Sequence, residues 1–174
     1  MGKRILVLVI LLAICSSVFC FQFFAFGDSK YISSQSKEKL IPEEVNSGQD
    51  FKVASGECPC RFTVETLEGV NFYIYMKDQN GDNDFSFYVE GGQTEVKKVP
   101  LGNYKIFYCS GEEWYGVENK FGRRTNMQTS DIVLAFTSSQ QDNQITYWGH
   151  TIKLYPVLNG NLPTRPIGTK DFPE

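Results

Sequence analysis

Three cysteines, one histidine, a run of alternating acids and a Trp-Tyr pair are the residues here whose types suit chemistry. Cys58, Cys60 and Cys109 stand beyond the N-terminal apolar stretch. In an oxidising compartment, Cys58 or Cys60 joined to Cys109 would close a loop of about 50 residues and stabilise the fold by about 2–4 kcal/mol. Strand parity opposes the Cys60 pairing, because Cys60 shares a face with Phe62 whereas Cys109 alternates away from Tyr108. Free thiols are therefore the other reading. Cys-Pro-Cys with one distant cysteine and one histidine matches neither the paired C-x-x-C spacing of structural zinc nor a three-His site. No metal and no cofactor are expected.

His150 is the only histidine, so any Ser-His-Asp or Cys-His arrangement must be built on it. Cys109 or Ser110 with His150 is the one nucleophile–base pair on offer, and no G-x-S-x-G or H-E-x-x-H accompanies it. Glu112 and Glu113 are adjacent, and on extended chain their carboxylates point apart. Asp78, Asn80, Asp82 and Asp84 alternate as calcium ligands do. A calcium loop of that kind needs glycine sixth and glutamate twelfth, where this one has Gly81 fourth and Val89 twelfth. Asn80-Gly81 between two apolar alternations reads as a hairpin turn. Trp114-Tyr115, just after Ser110-Gly111, suits a plug over a sheet end or a flat surface for a sugar ring or peptide. These two are the candidate binding residues.

What must position them is mostly strand. Phe72, Ile74 and Met76 share one face by period two, as do Phe85, Phe87 and Val89. Tyr104, Ile106 and Tyr108 repeat the pattern, then Ile132, Leu134 and Phe136, and finally Ile152 and Leu154. Phe62-Val64 and Val96-Val99 are shorter candidates. Asn80-Gly81, Gly91-Gly92, Gly102-Asn103 and Gly111 punctuate them. The expectation is a mainly β domain, an antiparallel sandwich or open barrel of about seven strands.

Residues 5–26 carry no charge and follow Lys3 and Arg4. As a helix they would span roughly 33 Å, enough for a bilayer core, with the cations cytoplasmic and the C-terminal side outside. Ala25-Phe26-Gly27 or Ala13-Ile14-Cys15 would allow cleavage and secretion instead. The chain thus divides into a signal-anchor, transmembrane helix or signal peptide at 1–27, a polar flexible linker at 28–56 and a β domain at 57–174. Without Lys3 and Arg4, 15 basic residues face 20 acidic ones, so clustered cations for a nucleic acid are lacking.

The stretch from Val99 to Gly116 resembles the V-P-L-G-x-Y-x-I-x-Y-x-S-G-x-x-W-Y-G block of a small bacterial domain family of unknown function. Phe121-Gly122-Arg123-Arg124-Thr125, Gly149-His150-Thr151-Ile152-Lys153-Leu154-Tyr155 and Asn159-Gly160-Asn161-Leu162 follow in that family's order, over residues 62–171. The resemblance implies a compact β domain without known activity, often appended to a membrane segment. Pro100-Leu101-Gly102 with Tyr104 is also similar to an element of transthyretin-like and carboxypeptidase-regulatory sandwiches, which are non-catalytic. The functional expectation is a membrane-tethered or exported, non-catalytic binding or accessory module of the cell envelope, extracytoplasmic, with an envelope protein or glycan as partner. One alternative is an exported hydrolase working near Cys109, Ser110 and His150. The other is a carbohydrate- or peptide-binding module using Trp114 and Tyr115.

Overall fold

Nearly every segment with period-two alternation is a strand. The computed structural model describes residues 39–154 and 162–174, and the apolar leader lies outside them. Among the described residues, no helix is long and apolar enough to cross a membrane. The first five strands are β1 (Asp50–Lys52), β2 (Cys60–Thr66), β3 (Asn71–Asp78), β4 (Phe85–Val89) and β5 (Thr94–Val99). After them come β6 (Gly102–Gly111), β7 (Asn126–Gln141), β8 (Gln144–Trp148), β9 (His150–Leu154) and β10 (Thr164–Pro166). A larger sheet runs β1-β4-β3-β6-β7-β10, with β8 added on β7, and a smaller one runs β5-β2-β9.

The two sheets share one apolar core. Phe72, Ile74 and Met76 of β3, Phe85 and Phe87 of β4 and Tyr104 and Ile106 of β6 meet Phe62 and Val64 of β2. Phe62 packs edge-on against Phe87 and Phe136, at centroid distances of 6.2 and 5.7 Å. Each such side chain contributes about 1.5–3 kcal/mol by leaving water. Within each sheet the neighbours are antiparallel, except that β9 lies parallel to β2, from Phe62↔His150 to Thr66↔Leu154. That pairing departs from the expected all-antiparallel arrangement. Parallel neighbours need a long crossover, and here the whole of β3–β8 separates the two strands.

Two other expectations are corrected. Ile132 does not join Leu134 and Phe136 inside, and it is 40% exposed. Between Lys105↔Val133 and Phe107↔Thr129 the register shifts, so β7 carries extra residues there and Ile132 swings outward. Secondly, the linker does not extend to Gly56. Lys39 already belongs to the folded unit, which ends at Glu174. Gly48 N–H donates to Tyr88 O and Tyr88 N–H to Gln49 O, which ties this segment to β4 just before β1.

That segment helps to build a second apolar layer on the outer face of the larger sheet. Tyr73, Tyr75, Tyr88 and Cys109 point outward from it. Val45 and Phe51 from the N-terminal side, Trp114 and Phe121 from the β6–β7 connection, and Ile167 and Phe172 from the C-terminal tail lie over them. The larger sheet is therefore buried on both faces, which is why β4 is buried at every position.

Candidate functional site

Trp114 stands at the centre of this second layer, 3% exposed. Its ring centroid is 5.2 Å from that of Phe121, 5.3 Å from Tyr73, 5.4 Å from Phe51 and 5.8 Å from Tyr88. The turn that delivers it is closed by Tyr115 N–H to Lys120 O and Lys120 N–H to Gly116 O, both 2.7 Å. Gly116 has φ +85°, and a Cβ there would stand 2.6 Å from Glu43 Oε1. Tyr115 is half-buried and its hydroxyl donates to Glu113. The Trp-Tyr-Gly block thus clamps the N-terminal segment onto the sheet. Trp114 offers no face to a ligand.

Among the described residues, Cys58, Cys60 and Cys109 are free thiols. Cys60 points into the core between the sheets and Cys109 into the second layer, so the larger sheet lies between them. Burial pushes the Cys109 thiol up to about 12, which suppresses the thiolate a nucleophile requires. His150 Nε2 lies 2.9 Å from Ala135 O, and its ring meets Phe136 edge-on. Ser110 lines a cavity together with Leu154, which stands at the opposite end of β9 from His150, and His150 does not line it. Nucleophile and base are not brought together.

Asp84 does structural work. Burial disfavours its charge, yet hydrogen bonds from Tyr75 Oη at 2.7 Å, Asp78 N–H at 2.8 Å and Lys52 Nζ at 3.2 Å hold its carboxyl below the usual value. Among the described residues no group of three or more potential ligands could hold a metal ion.

Two features escaped the sequence reading. The first is an arm. β7 continues past its last pairing with β6, Phe136↔Gly102, and from Thr137 to Gln141 it pairs with β8. Asp142 and Asn143 make the turn at φ 47° and 63°, a left-handed pair that matches strand twist. Every residue from 137 to 148 is exposed, with Ile145 at 52%, Tyr147 at 42% and Trp148 at 58%. Trp148 Nε1–H donates to Ser139 Oγ at 3.3 Å. Asn-Asp character at a positive-φ turn was the available signal, though glycine usually marks such turns.

The second feature is a cavity of about 600 Å³ at the other end of the sandwich. Leu67, Val70, Phe72, Leu154, Leu162 and Pro163 form its apolar wall. Tyr108, Ser110, Asn126, Gln128 and Thr164 supply polar groups, with Glu68 and Lys153 also lining it. Tyr108 and Thr164 hydroxyls both donate to Gln128 Oε1, at 2.7 and 2.8 Å. Comparison of the chain with protein-family models, with curated proteins and with solved structures found no match.

Proposed function

We propose that the chain is a non-catalytic binding module, held outside the cytoplasm by its N-terminal apolar segment, that docks an envelope protein along the β7–β8 arm. The observation that carries this reading is the arm's exposure. Its twelve residues, 137–148, include one charge, Asp142, and no proline or lysine. Edges of soluble domains are ordinarily guarded by such residues. β8 pairs only with β7 among the described residues, so its other edge is open to strand addition. Tyr147 and Trp148 supply rigid aromatic anchors of the kind that dominate interface energies. The resemblance to a bacterial domain family without known activity supports the same reading. So does the separation of Ser110 from His150.

Pull-down of the intact protein from detergent-solubilised membranes tests it. A partner retained by wild type and by His150→Ala, but lost with Tyr147→Lys, supports the reading. Equal retention by Tyr147→Lys would overturn it. A reporter fused after Glu174 should be active outside the cytoplasm, and cytosolic activity would remove the compartment.

A further inference from the structure

The cavity at the end away from the arm holds hydrogen-bonding groups that the protein leaves unmatched. Ser110 is 8% exposed, and its hydroxyl has no partner among the described residues. Its oxygen is not sealed in, since the buried side-chain oxygens without a partner among the described residues are Ser86 Oγ and Tyr104 Oη, so Ser110 Oγ stays reachable from the cavity it lines. Gln128 is more informative. Its Oε1 already accepts from both Tyr108 and Thr164, so what its amide has left is the NH₂, a donor only. That NH₂ has no partner among the described residues either, and Gln128 lines the same cavity as Ser110.

The rest of the wall is apolar. Leu67 and Val70 stay 58% and 39% exposed at the turn before β3, as apolar residues at a cavity mouth would. Charge at the mouth is already committed, because Lys153 Nζ sits 2.8 Å from Glu65 Oε2. Glu68 adds a further carboxylate to the lining, which disfavours an anion.

We propose that this cavity binds the acyl end of an uncharged ester or amide, its chain against Leu67, Val70, Phe72 and Leu154, its carbonyl oxygen accepting from Gln128 Nε2 and Ser110 Oγ. A volume near 600 Å³ is within the range of small-molecule sites. The site is independent of the arm, so either can fail without the other.

Calorimetric titration of the full-length protein in bile-salt micelles tests this with four eight-carbon probes: octanamide, methyl octanoate, octanoate and octylammonium. Octanamide and methyl octanoate should bind, and whichever binds tighter identifies amide or ester as the source. Octanoate and octylammonium should bind at least tenfold more weakly. Gln128→Glu keeps an acceptor for the two hydroxyls but removes the NH₂, so it should weaken octanamide about tenfold and turn preference toward octylammonium. Val70→Trp should block the mouth and abolish binding while the melting temperature holds. Equal affinity for all four probes would overturn the proposal, as would no binding at all or octanamide binding untouched by both substitutions.

Discussion

Trp114-Tyr115-Gly116 and Tyr147-Trp148-Gly149 are near-permutations of one another, and they have opposite fates. Trp114 is 3% exposed and Trp148 58%. Local composition does not separate them. What separates them is what the chain brings from elsewhere: Phe51, Phe121 and Phe172 converge on the layer around Trp114, whereas β8 is exposed throughout and pairs only with β7 among the described residues. An aromatic pair becomes core when distant segments close over it, and surface when its strand outruns the sheet.

The comparison breaks first at Trp114. Trp114→Ala removes a ring packed against four others and should cost about 3–5 kcal/mol in urea denaturation. A loss under about 0.5 kcal/mol would mean the second layer does not hold the fold.

Alkali probes the same layer. Burial pushes the Tyr88 phenol up to about 12, with Glu90 adding to the effect, and pushes the Cys109 thiol to about 12 as well. Both folded values lie above their unfolded ones. The stability each contributes is therefore fully present below the unfolded value, near 9 for the thiol and 10 for the phenol, and is lost as pH rises toward 12. Tyr88 alone should account for roughly 2–3 kcal/mol. Urea midpoints should stay level to about pH 9 and then fall, less steeply in Tyr88→Phe. A midpoint flat to pH 12 would mean that the layer is wet.

The glycine after each pair sharpens the contrast. A Cβ on Gly149 would stand 1.9 Å from Arg61 O, so the link from β8 to β9 passes hard against β2. Gly149→Ala must move backbone and should cost about 2 kcal/mol. Gly116→Ala fails for conformation, at φ +85°, and should cost about 1–2 kcal/mol. Melting curves would order the two, and a neutral Gly149→Ala would show the arm's base to be loose.

Much of the larger sheet was legible because its inner face is a repeating letter: Phe72, Ile74, Met76, then Phe85, Phe87, Val89. The opposite letters, Tyr73, Tyr75 and Tyr88, gave no sign of also being covered, since tyrosine serves equally on a wet face. Ile132 kept the period in sequence and lost it in space through the bulge, which no local pattern records. The parallel β2–β9 pair depends on where a long excursion returns. As for the sites, Trp114 was singled out by its chemistry and turned out to be packing. Ser110 was singled out as a nucleophile for His150 and Gln128 looked like an ordinary strand position, and only the meeting of β6, β7 and β10 gives the two a shared cavity.

Trp148→Ala carries the smallest expected effect on stability and the most weight for function. The indole touches solvent over more than half its surface and makes one hydrogen bond, to a serine that is itself exposed. Truncating it should change the unfolding free energy by no more than about 0.5 kcal/mol. The same substitution should weaken capture of the proposed envelope partner by tenfold or more, the usual size of an anchor lost from an interface. Measured side by side with Trp114→Ala, it yields a double dissociation: one tryptophan whose loss unfolds the domain, and one whose loss leaves it folded and unable to bind. If Trp148→Ala instead lowered stability as Trp114→Ala does, the arm would be part of the body, and docking along it would have no surface to use.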